Sequence, residues 1–417
     1  MSDTFRSLFS GSKGGASSQQ KLVDADTASS AREVRPDALP GALIRVLGTG
    51  GAGSNAVSRM VTGRVQGVEF IAVNTDVQAL YHNPASKKIT IGRGTTRGLG
   101  AGANPEMGKS AAQESMEEIK SALEGTDMLF ITAGLGGGTG TGSAPIIAEL
   151  ARSMGILTVG VVTKPFSFEG LKRRKNAEEA LELLKGKVDT LITIPNDKIL
   201  SIIDKTTPLT EAFEVVDEVL QHAIEGISSL ITQHGLVNVD FADVKTIMQD
   251  AGTALMGIGY GTGDSRAAEA ARAAIDSPLL ELSINGAHGI LFNITGGNDL
   301  SMFEVDEAAR IITETASPEA NIIFGAVIDE NYTGQVKCTV IATGFDAAEL
   351  QQQASFSTPA QRYLTKAAGT PAPSSPRSER EERMLKNERN EMPKSGAPQL
   401  DEEELEVPAF MRKPISK

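Results

Sequence analysis

The sequence of 417 residues has one cysteine, no tryptophan and four histidines. A single cysteine, Cys338, excludes a disulfide scaffold and a thiolate metal cage, and the scattered histidines lack the spacing of metal ligands. No apolar run approaches the roughly 20 residues that a membrane-spanning helix needs. The first residues lack the basic and then apolar pattern of a signal peptide. We therefore expect a cytoplasmic protein that does not insert into a membrane.

Positive charge is also scarce, because 40 Lys and Arg stand against 53 Asp and Glu, for a net charge of −13. A protein that binds nucleic acid through its phosphates normally carries a basic face, so we expect no nucleic-acid partner. Glycine, in contrast, is abundant. The 43 glycines exceed the about 29 that an average usage of about 7% would give, and their positions point to the function.

Short apolar runs alternate with helical patterns over the first half of the chain. Strand patterns cover residues 43–48, 69–74, 127–133, 158–164 and 190–195, and helical patterns cover residues 105–124, 144–152 and 171–184. Strands that alternate with helices indicate βαβ units and a mostly parallel sheet. The predicted fold class is therefore α/β, with a Rossmann-like domain at residues 41–208.

A long helical pattern follows at residues 209–232, where apolar residues recur at three- and four-residue steps. Its apolar stripe is wide, so we expect this central helix to be buried between two domains. Helical patterns at residues 240–249, 266–276 and 305–315 and strand patterns at residues 289–295, 322–327 and 336–343 come next. They predict a smaller α+β domain at residues 233–345.

The two ends of the chain differ in composition from these domains. Residues 1–40 are rich in serine, and residues 346–404 contain a long stretch dominated by Pro, Ser, Glu and Arg. Such segments bury too little apolar surface to offset the entropy of ordering, so we expect a disordered extension and a flexible linker. Residues 405–417 contain an apolar and basic island formed by Val407, Phe410, Met411 and Arg412. We predict a docking peptide there, with a tail of no function as the alternative.

The first glycine-rich loop runs from Gly48 to Asn55, between a predicted strand and a predicted helix. It matches the pattern G-x-G-x-x-G, in which glycines let backbone N–H groups approach phosphate oxygens at a helix N-terminus. Asp76 follows at about the 20-residue distance of a carboxylate that binds a dinucleotide ribose. Taken alone, this loop predicts a nicotinamide-dependent oxidoreductase.

The second loop, Gly134 to Gly142, holds six glycines and two threonines in nine residues. A structural turn needs one or two glycines, so this density indicates a backbone wrapped around phosphate. A nicotinamide site needs one such loop, whereas two converging loops suit a longer phosphate chain. Residues 103–110 imitate a P-loop, but Ala103 replaces its first glycine and Pro105 predicts the first turn of a helix.

The second loop closely resembles the signature loop of the tubulin/FtsZ family of GTPases. Segments at residues 74–76, 100–105, 163–170, 194–196, 238–243 and 407–412 resemble the same family, in the same order. The resemblance covers about residues 41–345 and the tail peptide. It implies a GTP-binding domain, a central helix and a C-terminal GTPase-activating domain, at the limits given above.

The resemblance also implies which residues bind GTP. Those expected at the phosphates are Gly51, Ala52, Gly53, Ser54, Asn55, Gly138, Thr139 and Gly140, with Ala101 and Ala103 near the γ-phosphate and Glu169 and Arg173 near the ribose. Asn196, Phe213 and Asp217 would form the guanine pocket. An aromatic ring can stack on the purine, and a carboxylate can accept from N1–H and the 2-amino group. Without the resemblance, Phe213 would be assigned to the core and Asp217 to the surface.

For catalysis, the resemblance implies that Asn238, Asp240 and Asp243 act on the GTP of an adjacent subunit in a head-to-tail filament. Magnesium would bridge the phosphate oxygens. By themselves, the two aspartates predict only the cap and first turn of a helix.

The implied function is a GTPase whose filaments build the division ring of bacteria. The filaments would be tethered to membrane adaptors at the division site through the tail peptide. A filament-forming paralogue that hydrolyses GTP poorly is the alternative, although the presence of both aspartates disfavours it.

Overall fold

The computed structural model describes residues 41–345 except 234–236, 238 and 281. Its ten described strands are β1 (Ile44–Thr49), β2 (Glu69–Asn74), β3 (Lys87–Thr90), β4 (Met128–Gly134), β5 (Leu157–Lys164), β6 (Thr190–Pro195), β7 (Gly252–Thr262), β8 (Gly289–Gly296), β9 (Asn321–Ile328) and β10 (Gln335–Thr343). They form one sheet in the order β3-β2-β1-β4-β5-β6-β7-β10-β8-β9. Strands β1 to β6 pair in parallel, as the alternating pattern predicts. The α/β fold class is confirmed.

The helices are α1 (Gly50–Thr62), α2 (Val77–His82), α3 (Arg93–Thr96), α4 (Pro105–Glu114), α5 (Met116–Leu123), α6 (Thr139–Ser153), α7 (Leu171–Lys185), α8 (Asn196–Ile199), α9 (Leu209–Thr232), α10 (Phe241–Met248), α11 (Arg266–Ile275) and α12 (Met302–Thr313). The single helix predicted at residues 105–124 is wrong, because the chain leaves helical geometry at Ser115. At this break between α4 and α5, the Ser115 hydroxyl accepts a hydrogen bond from Gly92 N at 3.1 Å. No helix of the described part is long and apolar enough to cross a membrane.

Both faces of the parallel strands are buried. On one face, Val46 and Phe130 pack with Leu220 of α9. On the other face, Leu47 packs in a cluster with Ile147 of α6. Because successive strand residues point to opposite faces, strands covered by helices on both sides appear in the sequence as continuous apolar runs.

Strand β7 carries the sheet from the first half of the chain into the second. It pairs in parallel with β6 and antiparallel with β10. A third hydrophobic cluster, which includes Phe292 and Cys338, packs this part of the sheet against α11 and α12. The predicted domain limits are not marked by a break in the sheet, and they stay predictions. The proposed N-terminal extension, linker and tail peptide lie outside the described residues.

The sequence patterns missed β7, because its glycines suggest a loop. A side chain at Gly257, Gly259 or Gly261 would overlap backbone atoms of α11. Between residues 257 and 261 the strand therefore lacks side chains on the face toward α11, so that the alanine-rich helix can pack directly on its backbone. Glycines at every second position followed by an alanine-rich helix are the signal that could have identified this strand.

Helix α9 runs antiparallel to the parallel strands. Phe213, in its first turns, lies edge-on to Phe166, which follows the carboxyl end of β5. Thr232, its last residue, lies against Gly67, just before the amino end of β2. The helix has 24 residues, so it is about 36 Å long at about 1.5 Å per residue. It therefore connects the two edges of the sheet.

The packing of α11 on β7 gives a stability prediction. Replacing Gly259 with alanine places a methyl group where the backbone of α11 now lies, so we expect a loss of about 1–3 kcal/mol in the free energy of unfolding. Urea unfolding measures this loss. Gly186→Ala is the control, since its added methyl group would meet no atom within 4 Å. Equal stability of the two variants would contradict the proposed packing.

Candidate functional site

The two glycine-rich loops meet at the carboxyl edge of the parallel sheet. The first connects β1 to α1, and the second connects β4 to α6. Strands β1 and β4 are neighbours, and the strand order reverses between them. In open α/β sheets, ligands bind in the crevice outside the carboxyl ends of the strands at such a reversal.

The loops approach each other backbone to backbone. A Cβ atom on Gly50 would lie 2.6 Å from Gly140 N, and one on Gly134 would lie 2.5 Å from Ala52 Cβ. Gly50 also has a φ of 74°, which favours glycine. A side chain is therefore excluded at Gly50 and at Gly134, and the first turns of α1 and α6 face the same space.

Both helices begin without a side-chain cap and without an acidic residue in the first turn. The first N–H groups of a helix have no partner within the helix, and the helix dipole adds partial positive charge there. Two such ends side by side form a site for a group with several negative charges. Gly51, Ala52 and Asn55 are exposed at this point, whereas Gly53 and Ser54 are buried.

A third loop, residues 98–104, adjoins the signature loop. A Cβ atom on Gly138 would lie 2.9 Å from Ala101 Cβ and 2.9 Å from Asn104 N. Ala103 has a φ of 57°, in the left-handed region. The structure therefore brings Ala101 and Ala103 beside Gly138, and their place near the γ-phosphate stays a prediction.

The P-loop imitation is a helix start, as predicted. Asn104 caps α4 by accepting a hydrogen bond from Glu106 N at 3.1 Å, and Pro105 occupies the first turn. The exposed Lys109 lies 3.8 Å from Glu106.

Asp76 also has a local role. Its Oδ1 accepts from Gln78 N at 2.8 Å and from Ala79 N at 3.2 Å, which caps α2. The interpretation of Asp76 as a dinucleotide ligand is therefore not needed.

Glu169 and Arg173 form an ion pair beside the signature loop. The second carboxylate oxygen of Glu169 accepts from Phe166 N at 2.9 Å. Arg173 is close to the loop through its backbone, since a Cβ atom on Gly136 would lie 2.7 Å from Arg173 O. Both side chains are thus held at the edge of the candidate site.

An aromatic group lies at the start of α9. The rings of Phe166 and Phe168 are stacked at 5.0 Å, and Phe213 meets Phe166 edge-on at 5.6 Å. Phe213 is 42% exposed, so part of its ring is accessible to a planar ligand. Asn196 is buried, and its Oδ1 has no hydrogen-bond partner, which leaves one acceptor unsatisfied.

Asp217 lies one turn beyond Phe213 on α9. It lines a cavity of about 600 Å³ together with Asn55 and Arg59 of α1. Burial raises the pKa of Asp217 to about 6, although the charge of Arg59 opposes this shift and that of Glu214 adds to it. Arg59 also lies 3.3 Å from Glu214. Sequence reasoning missed Arg59, since no motif marks it.

Asp240 and Asp243 lie at the other edge of the sheet. Asp240 caps α10 by accepting from Asp243 N at 2.8 Å, so the simple capping interpretation is confirmed. Both aspartates are exposed. The hydroxyl of Thr190, the first residue of β6, donates a hydrogen bond to Met248 O in the last turn of α10. The end of α10 is therefore held at the amino edge of the sheet. Asn238 lies outside the described residues.

Contacts around the end of α9 support this placement. Val237 pairs with Ala326 of β9, and Gly325 lies against Leu230 and Val237 O. Val237, three residues before Asp240, therefore lies close to the end of α9. The length of α9 separates the two aspartates from the glycine loops of the same chain.

Comparison with known proteins agrees with this geometry. The model of the tubulin/FtsZ family GTPase domain matches residues 43–204, and that of the FtsZ family C-terminal domain matches residues 252–346. An empty FtsZ dimer from M. jannaschii is 50% identical, with a TM-score of 0.71, over 73% of this chain and 89% of that chain. A mutant FtsZ from M. jannaschii gives the same identity and TM-score, over 73% of this chain and 91% of its own.

A more distant neighbour shares the fold. A GTPgS-bound protofilament of CetZ2 from Haloferax volcanii is 21% identical, with a TM-score of 0.63, over 78% of this chain and 99% of that chain. The two family models and the 50% identity to M. jannaschii FtsZ establish the family. This excludes the nicotinamide-dependent oxidoreductase. The chain belongs to the FtsZ family of tubulin-like GTPases, which bind GTP and GDP and hydrolyse GTP.

Proposed function

We propose that copies of this chain stack head to tail into filaments and hydrolyse GTP at each joint. The observation that carries the proposal is the separation of the glycine loops from Asp240 and Asp243 by the length of α9. One copy presents its glycine loops at the carboxyl edge of the sheet and its aspartates near the amino edge. A second copy, stacked along α9, supplies the aspartates that the first cannot bring to its own nucleotide.

Such a contact joins two different surfaces, so it generates a filament when it does not close into a ring. The similar M. jannaschii structure is a dimer of FtsZ, and the CetZ2 structure is a protofilament. Exposed apolar side chains are available for assembly. Leu99 is 85% exposed at the carboxyl edge, and Phe303, at the start of α12, is 89% exposed.

Hydrolysis needs a water molecule held in line with the γ-phosphate. Phosphoryl transfer depends mainly on positioning and charge stabilisation, which the first turns of α1 and α6 supply through their N–H groups. Asp240 gives one oxygen to the cap of α10, and its other oxygen and the carboxylate of Asp243 are free to orient the water. Asn238 is proposed to support this loop.

Magnesium fits this arrangement. The ion prefers phosphate oxygens, water and one or two carboxylates to a cage made only of protein. The exposed carboxylates of Asp240 and Asp243 are suitable donors, and no cluster of three or more His, Cys, Asp or Glu competes within the described part of the chain. When bound, magnesium neutralises charge on the phosphates.

Guanine is proposed to lie between Phe213 and the cavity that contains Asp217. Phe213 offers a ring face for stacking. The carboxylate of Asp217 offers two acceptors for the N1–H and 2-amino donors of guanine. Adenine has neither of these donors. The unpartnered Oδ1 of Asn196 adds another acceptor. We propose that the ion pair of Glu169 and Arg173 contacts the ribose.

We propose that these filaments form the division ring of bacteria, in the cytoplasm beneath the membrane. Val407, Phe410, Met411 and Arg412 would bind a membrane-tethering division adaptor. The 50% identity to FtsZ, against 21% to CetZ2, favours this role over that of a CetZ-like or hydrolysis-poor paralogue.

The shared site predicts that GTPase activity depends on protein concentration. Because each active site needs two copies, activity per molecule should be near zero at low concentration and rise above a threshold. Phosphate release over a dilution series measures this. Constant activity per molecule down to the lowest concentration would contradict the proposal.

A mixing experiment assigns Asp243 to the neighbouring copy. Asp243→Ala should bind GTP like the wild type and hydrolyse it poorly, and it should inhibit wild-type protein when the two are mixed. Lys245→Ala, two residues further along α10, is the control. Weak GTP binding by Asp243→Ala would show that the carboxylate serves its own subunit.

The raised pKa of Asp217 predicts that GTP binding depends on pH. Its folded-state pKa of about 6, raised from 3.8 by burial, means that the carboxylate protonates as the pH falls from 7 to 5. GTP affinity should fall about tenfold over that range, because the protonated group loses one acceptor. In Asp217→Asn this pH dependence should disappear and xanthosine triphosphate should be preferred, since an amide offers one donor and one acceptor. Unchanged base preference would contradict the guanine assignment.

The tail peptide predicts binding that depends on assembly. A few apolar side chains at about 25 cal/mol per Å² give a weak contact, but many copies along one filament add by avidity. Phe410→Ala filaments should therefore sediment poorly with vesicles that carry a division adaptor, while Ser416→Ala filaments should sediment like the wild type. Equal sedimentation of both variants would exclude Phe410 from docking.

A further inference from the structure

Two buried threonine hydroxyls join parts of the site that are distant in sequence. Thr75 follows β2, and Thr139 is the first residue of α6. Their Oγ1 atoms lie 2.6 Å apart, and the distance alone allows either to be the donor. The direction of this hydrogen bond decides where the second hydroxyl hydrogen points.

The available acceptors determine the direction. Among the described residues, Thr139 Oγ1 is the only partner of the Thr75 hydroxyl, and Thr75 has no solvent exposure. If Thr139 donated, the hydrogen of Thr75 would be buried without an acceptor, which is costly. Thr75 is therefore the donor. The hydrogen of Thr139 has no acceptor in the described part of the chain and remains available to a ligand.

A neighbouring pair of hydroxyls behaves differently. Thr49 Oγ1, at the end of β1, lies 2.6 Å from Ser143 Oγ, which donates to Thr139 O at 2.6 Å. Since Ser143 has a single hydroxyl hydrogen, Thr49 is the donor to it. This series of hydrogen bonds ends on the backbone carbonyl of Thr139, so neither hydroxyl hydrogen is left for a ligand.

We propose that Thr75 is a positioning residue for phosphate binding, whose hydroxyl donates to Thr139 and thereby directs the Thr139 hydroxyl hydrogen at a phosphate oxygen. The proposal rests on the proposed role of Thr139 at the phosphates. A hydroxyl that accepts one hydrogen bond also donates a stronger one. Thr75 thus contributes to phosphate binding without touching the nucleotide.

The backbone of Thr75 holds the third loop at the same point. Its carbonyl oxygen accepts from Gly100 N at 3.4 Å, and Leu99 pairs with Asp76. These links do not involve the hydroxyl. A change that removes only the hydroxyl therefore tests its role while the backbone links persist.

The experiment compares the affinities of guanosine, GMP, GDP and GTP for the full chain. Thr75→Val keeps the shape of the side chain and removes the donor. We expect about a fivefold loss of affinity for nucleotides that carry the phosphate contacted by Thr139, and no loss for guanosine. Thr75→Ser should restore the affinity. In a Thr139→Val background, Thr75→Val should cause no further loss, because the hydrogen that it directs is absent.

Thr158→Val is the matched control, since Thr158 is equally buried but lies near the amino end of β5, where its hydroxyl donates to Ile156 O at 2.9 Å. It should lower thermal stability and leave the ratio of GTP to guanosine affinity unchanged. If Thr75→Val does not fold, Thr75→Cys, with its weaker donor, allows the same comparison.

Three results would overturn the proposal: an equal loss for guanosine and the nucleotides, no loss for any ligand, or additive losses in the double variant. A wild-type chain whose GTP affinity did not exceed its guanosine affinity would instead contradict the phosphate role of the glycine loops.

Discussion

The site depends on one close approach, in which the first turns of α1 and α6 meet backbone to backbone. Gly50 of α1 adjoins the backbone of Gly140, and Gly134, at the end of β4, adjoins the methyl group of Ala52. A side chain at Gly50 or Gly134 would push these segments apart. The approach directs two sets of unpaired N–H groups at one space. No acidic side chain in either first turn compensates their charge. The glycines of these two loops are thus explained by a close approach that the proposed phosphate binding requires, whereas those of β7 serve the contact with α11.

The surroundings of this contact fix its position relative to the sheet. Helix α4 packs closely on α6. The approach is so close that a side chain on Gly108 or Gly142 would overlap the backbone of the facing segment. This packing places Ala101 beside the signature loop. Helix α9 begins on the same edge with Phe213 and Asp217. In the proposed site, phosphate contacts would come from α1 and α6 and base contacts from α9. Helices α1 and α9 pack on one face of the sheet and α6 on the other, so the spacing of these contacts is set by packing on a common sheet rather than by a single loop.

The sequence predicted the parallel strands and both glycine loops well, because each has a local pattern. It failed where the cause is tertiary. Strand β7 was missed because its glycines serve contact with α11, and residues 105–124 were predicted as one helix although Ser115 bonds to Gly92. The raised pKa of Asp217 depends on burial between α1 and α9. The pairing of Thr75 with Thr139 joins residues 64 positions apart, which no local pattern reveals.

The two aspartates show what topology adds to side-chain chemistry. Asp240 and Asp243 are exposed and cap an ordinary helix, so nothing in their surroundings distinguishes them as catalytic. Their proposed role comes from position. Because α9 runs antiparallel to the strands, it carries the chain from the nucleotide edge to the opposite edge before these residues occur. In the proposed mechanism, a monomer would hold a complete binding site and an incomplete catalytic one. In the proposed filament, assembly completes the catalytic site and leaves the binding site unchanged.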